Sequence, residues 1–273
     1  CGRESGFDGR SDKPSTRRNQ HGYCIDSSRS RPRLRFHRRS DQGSPRLRDP
    51  QANHLRPSVA GTHQHRFSLD IIHSDERLSA LWNDIEITLN GLTDERIIEE
   101  YMLSENAMSI SNAINNLIDN DLQKLGWTPQ SAIFQGSEYE GKSWRLDFAK
   151  TAEKSKDGKS GIAIEVAFNH GEAIAWNLLK PVLAAEINHI DTATDIGVGV
   201  GVYICATENL KEAGAFDGAV GEYEKVLRYL SPLFGKLTVP MVIVGLEAPE
   251  TFRVEKRKNS VTGKNKGEIV RTS

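Results

Sequence analysis

Trp144-Arg145-Leu146-Asp147-Phe148 and Ile162-Ala163-Ile164-Glu165-Val166-Ala167-Phe168 are the stretches on which the fold turns. In the first, apolar residues alternate with Arg145 and Asp147, the period of a β-strand. In the second, Ile162, Ile164, Val166 and Phe168 share one face, and Ala163, Glu165 and Ala167 the other. Between them, Lys154-Ser155-Lys156-Asp157-Gly158-Lys159 carries an Asp-Gly turn signal, so the two strands are expected to pair as an antiparallel hairpin. In that pairing Asp147 and Glu165 could meet on one face.

Working outward, helices precede the hairpin. A short apolar strand is expected over Phe67 to Ile72, then Ser74 as an N-cap with Asp75 and Glu76 in the first turn. Leu78, Leu81, Trp82, Ile85 and Leu89 recur at helical spacing until Gly91 ends the helix. Thr93 to Met102 reads as a second helix, and Ile110 to Leu125 as a third that ends at Gly126. After the hairpin come a helix from Glu172 to about Asn188, a buried strand Ile196 to Ala206, a helix from Asp217 to about Leu230 and a buried strand Val239 to Leu246. The expected class is α/β, a mixed central sheet flanked by helices. The nearly all-round apolar segment Ala173 to Leu183 suits a core helix, or part of a dimer interface.

The 273 residues hold 36 Lys+Arg and 37 Asp+Glu, with 37% hydrophobic residues and a mean hydropathy of −0.52. No apolar run approaches the roughly 18 to 20 residues that span a bilayer, and no secretory leader pattern opens the chain, so neither a membrane nor a secretory role is expected. Cys1, Cys24 and Cys205 form neither a disulfide framework nor a zinc motif, which suits a reducing cytoplasm. The charge is unevenly spread: residues 1 to 66 carry 15 Lys+Arg against 6 Asp+Glu, and the remaining 207 carry 21 against 31. With its Ser, Gly and Pro and its lack of apolar periodicity, the first part reads as a disordered Arg-rich tail. It is either a phosphate-binding arm or a segment foreign to the native protein. The folded domain is expected to run from 67 to 273.

Two carboxylates on one hairpin face, flanked by small alanines, leave room for an oxygen-ligated cation. Magnesium prefers such a place, with one or two carboxylates, several waters and a substrate phosphate. The bland alternative is a pair of surface carboxylates on an exposed strand. Acid on one strand and Glu on the next is also the skeleton of the PD-(D/E)xK nucleases. Leu146-Asp147-Phe148 followed by Ile164-Glu165-Val166-Ala167-Phe168-Asn169 resembles the catalytic segment of the BglII/BstYI family of type II restriction endonucleases. His73-Ser74-Asp75-Glu76-Arg77 with Leu81-Trp82-Asn83-Asp84-Ile85-Glu86 resembles the family's opening segment. Gly221-Glu222-Tyr223-Glu224, Val239 to Leu246 and the basic Lys264 to Val270 resemble its later elements. The resemblance spans residues 67 to 273 in order.

The resemblance implies a restriction-endonuclease-like core and a homodimer that cuts both strands of a short palindromic site in double-stranded DNA with Mg2+. The family shares a GATC core. Asp147 and Glu165 would be the metal carboxylates and the main-chain oxygen of Val166 a further ligand. Ala167 departs from the pattern, because that slot is usually Lys in the superfamily and can be Gln in the family, and a methyl group can neither hold nor polarise a water. Four readings stay open: the metal alone activates the water, Lys150 or Lys159 reaches in, the position is loose in this branch, or the chain is a catalytically impaired site-specific DNA-binding protein.

Asn169 and His170 stand where the family places base contacts, and Asn suits a bidentate contact with adenine; a polar connecting turn is the alternative. Lys180 falls where the family has a basic residue near the DNA, although Pro181 beside it also suits a kinked helix end. The loop Lys211 to Gly221 matches a second recognition loop in position. In the C-terminal stretch, Lys256, Arg257 and Lys258 lead seven Lys+Arg against Glu255 and Glu268, a source of phosphate contacts or a solvated tail. The glycines of Gly197-Val198-Gly199-Val200-Gly201 alternate inside the strand itself, which argues for close helix packing against a nucleotide-binding loop. Gly158-Lys159-Ser160 precedes a strand, unlike a P-loop. His189 and Asp191 lack a nucleophile and read as a helix-end cap. No nucleotide cofactor is expected.

Overall fold

The computed structural model describes residues 59–152, 161–185, 198–258 and 265–272. Strand β1 (Val59–His65) leads into helices α1 (Ser68–Ser74), α2 (Glu76–Asn90), α3 (Asp94–Met102) and α4 (Ser111–Lys124). Strands β2 (Thr128–Ala132), β3 (Arg145–Thr151) and β4 (Gly161–Ala167) follow, then helix α5 (Ile174–Ala185) and strand β5 (Val198–Ala206). Helices α6 (Glu208–Ala213) and α7 (Tyr223–Leu233), strand β6 (Met241–Leu246) and the strands β7 (Phe252–Lys258) and β8 (Asn265–Arg271) complete the order.

Six strands form one mixed sheet in the order β1-β6-β5-β4-β3-β2. Strands β4, β5 and β6 run parallel, and antiparallel partners flank them on both sides. The central strands are buried on both faces and read as near-continuous apolar runs for that reason. On one face Ile162, Ile164, Val202, Ile204 and Val244 meet Leu81, Ile85, Ile114 and Ile118 of α2 and α4. On the other, Ala163, Ala167, Tyr203, Cys205 and Ile243 meet Leu178 and Val182 of α5 and Val226 and Leu230 of α7. The expected hairpin is present, with Phe148 opposite Ile164 and Ala149 opposite Ala163. Its turn, with Lys159 and Ser160, lies outside the described residues, as do the tail 1–58, Cys1, Cys24, His189, Asp191, Gly197 and Lys264.

Five expectations change, one of them the helix expected from Asp217, which begins only at Tyr223. Residues Phe67 to Ile72 begin a helix rather than a strand: Ser68 and Ile72, four apart, are the buried pair, while Phe67 sits in left-handed backbone and is exposed. The edge strand lies earlier, at Val59–His65, so the folded part reaches upstream of residue 67. Asp75, not Ser74, caps α2, accepting the Arg77 N–H at 2.9 Å. The basic C-terminal stretch folds as the β7–β8 hairpin, with Phe252 and Val254 packed into the core on the α2–α4 face. The glycine reading holds where it can be seen, since a Cβ on Gly201 would lie 3.0 Å from Cβ of Pro181 on α5.

Candidate active site

Antiparallel register carries Asp147 on β3 to a place opposite Glu165 on β4, one step beyond the Phe148 and Ile164 pair. Asp147 is partly buried. Its Oδ2 accepts the Val166 N–H at 2.8 Å, and its Oδ1 accepts from Gln130 Nε2 at 3.5 Å. Gln130 is a non-glycine residue at φ 48 on β2, an uncommon backbone state that concentrates at functional places. Burial raises the Asp147 carboxyl above its ordinary range.

Glu165 is 1% exposed. Its Oε2 accepts from Lys180 Nζ at 2.7 Å, and its Oε1 is buried with no hydrogen-bond partner among the described residues. Burial, with the neighbouring Asp147 carboxylate adding to it, pushes the Glu165 carboxyl up to about 8. An unpaired buried carboxylate oxygen is costly to the fold, and ionising it is costlier. A divalent cation between the two carboxylates would relieve both costs, so the donor set fits a hard, oxygen-seeking ion. No group of three or more His, Cys, Asp and Glu among the described residues could hold a metal. A cation here would complete its shell with main-chain, water or substrate oxygens.

Lys180 sits on the α5 face turned to β4, 9% exposed at the side chain, with its ammonium on Glu165, beside the carboxylate pair. Pro181 lies inside α5 and does not mark its end. Lys150 is corrected as a candidate to reach in: its Nζ is 2.7 Å from Asp84 Oδ2 and 2.7 Å from the Leu125 carbonyl. As an even-numbered residue of β3, it points away from Asp147. Ala167, 2% exposed, lies on the Glu165 face under α5.

Asn169 and His170 are both exposed, just past the end of β4. The Asn169 carbonyl accepts the Gly221 N–H at 3.0 Å, and the Gly171 N–H donates to the Ala219 carbonyl at 2.8 Å. The turn after β4 is thereby laced to the loop that ends at Gly221. Asn169 Oδ1 also accepts from Asn177 Nδ2 at 3.4 Å, and Asn177 lies near the buried Tyr203, the cross-strand neighbour of Glu165 on β5. Lys256 donates to the Phe216 carbonyl at 3.5 Å, and Arg257 pairs with Glu255 and Glu268 at 3.5 and 2.9 Å. Together with Lys258 they stand on β7, whose inward residues pack on the sheet face opposite Glu165.

Sequence reasoning missed Gln130, Asn177, Tyr203 and the true partner of Lys180. One signal was available: Lys180 is the single charge in the apolar run Ala173 to Leu183, and a buried charge demands a partner.

A family model described as restriction endonuclease BglII/BglIII matches residues 60–246. Among solved structures, restriction endonuclease BglII complexed with a DNA 16-mer is similar at 17% identity and a TM-score of 0.50, covering 78% of this chain and 99% of that one. Free BglII gives 16% identity and a TM-score of 0.42 over 78% and 98%. No curated protein matches the chain.

Proposed function

The chain belongs to the BglII/BglIII restriction endonuclease family and is by that membership a type II restriction endonuclease, and from this premise we propose that it hydrolyses both strands of double-stranded DNA at a short palindromic site. The reaction would use Mg2+ and leave a 5′-phosphate, with two copies of the chain acting as a homodimer in the cytoplasm. GATC is the core to test first. The fold supports this reading.

The observation that carries the proposal is the meeting of Asp147 and Glu165, with one buried Glu165 oxygen left without a partner among the described residues. These two carboxylates and the Val166 carbonyl would hold the cation. When bound, magnesium would lower the pKa of a water and offset the negative charge gained at the phosphorus. The chain's own residues do the rest. The Val166 N–H fixes the Asp147 carboxylate, and Gln130 steadies its second oxygen. Asn169 and His170, exposed beside the site, would meet base edges, and Lys256, Arg257 and Lys258 would meet phosphates.

Ala167 favours one rival, a site-specific DNA-binding protein that no longer cuts. Asp147→Ala and Glu165→Gln discriminate. Each should cut about 100- to 1000-fold more slowly than the parent in Mg2+, as removal of a charge-stabilising group does, while both keep sequence-specific retention in a gel shift with Ca2+. A parent that retains DNA specifically but does not cut would establish the rival. Cutting that survives both substitutions would place the chemistry elsewhere.

A further inference from the structure

We propose that Lys180 takes the place of the side chain missing at position 167, as a positioning residue that holds Glu165 and brings a fixed positive charge to the carboxylate pair. The inference rests on the nuclease reading above. Side chains two apart on a strand share a face and stand about 7 Å apart, so residue 167 looks onto the same space as Glu165. That space is roofed by α5, and the alanines at 163 and 167, small and buried against it, put no long side chain in the way. Lys180 descends from α5 into it and reaches Glu165 Oε2 at 2.7 Å, with only 9% of its side chain exposed.

A buried Lys on a helix and a small residue at 167 are therefore two halves of one arrangement. A long side chain at 167 would crowd Lys180, and a second ammonium there would repel the first. Because Lys180 binds Oε2 alone, Oε1 is kept for a cation. Lys150 is engaged elsewhere and is not the substitute.

A double-mutant cycle over wild type, Lys180→Met, Ala167→Lys and the double variant tests this, because coupling isolates what two positions share. Single-turnover cleavage in Mg2+ should fall at least 100-fold in Lys180→Met, should not rise in Ala167→Lys, and should recover at least 10-fold from the Lys180→Met level in the double variant. Mn2+ binding to DNA-free protein, read by calorimetry, should be at least as tight in Lys180→Met as in wild type, since a competing charge has gone. If Lys180→Met alone does not fold, the double variant carries the test by folding and cutting.

Additive effects in the cycle, cleavage by Lys180→Met within threefold of wild type, or loss of Mn2+ binding in Lys180→Met would each overturn the assignment while leaving the nuclease reading intact. A wild type that cuts no DNA would overturn both.

Discussion

At the scale of single residues, Glu165 is the group on which most depends. It is buried, its ammonium partner satisfies one oxygen only, and its carboxyl stands at about 8 against an ordinary 4.5. Between those two values the folded protein keeps a proton that the unfolded chain has lost. Metal-free stability must therefore fall as pH rises through that window, the sign expected when the folded state binds more protons. Asp147, also raised by burial, adds to the slope in the same direction. Thermal unfolding in EDTA between pH 5 and pH 8 should show a declining midpoint in the parent and a flatter one in Glu165→Gln. Magnesium should restore the loss at pH 8 in the parent alone, because a cation stabilises the ionised carboxylate. Equal slopes in the two proteins would contradict this account of the buried oxygen.

At the scale of elements, the hairpin and the core helices were legible because their signals are local. Period-two alternation gave β3 and β4, helical spacing gave α2 and α4, and the Gly-rich run gave close packing of α5 on β5, seen at Gly201. What failed was tertiary. Strand β1, Val-Ala-Gly-Thr-His-Gln-His, has no apolar alternation and becomes a strand only because β6 offers it an edge. Phe67 to Ile72 is rich in β-formers, yet burial of Ser68 and Ile72 on one side makes it helical. Deleting residues 1–66 would strip β1 and leave β6 as an open edge, and would remove the bonds from His65 to the Leu237 carbonyl at 3.0 Å and from Arg66 to the same carbonyl at 2.6 Å. A protein of residues 67–273 should therefore melt roughly 10 °C or more below one of residues 59–273. Equal melting midpoints would show that β1 contributes nothing.

At the scale of the whole molecule, the carboxylate pair could be named from the sequence, and its supporting set could not. Asp147 and Glu165 stand on adjacent strands whose antiparallel pairing a turn signal predicts, though not their register. Lys180 reaches Glu165 from a helix, and Tyr203 lies beside it on the next strand, both brought near only by the folded sheet. The acidic balance after residue 66 is compatible with DNA binding, since a site-specific nuclease needs a positive cleft and not a positive surface throughout. The basic β7–β8 hairpin is itself partly neutralised by Glu255 and Glu268. Its charge suits a modest phosphate grip rather than a coating of DNA.

If Asp147 and Glu165 serve a site-specific cut in both strands, as proposed, digestion of a long DNA of known sequence in Mg2+ will reveal it, with the ends of every fragment sequenced and Asp147→Ala as control. Discrete fragments, absent from the control, are expected, with ends on both strands at one palindrome and 5′-phosphates. Intact DNA, scattered ends, or the same fragments from Asp147→Ala would contradict the proposal.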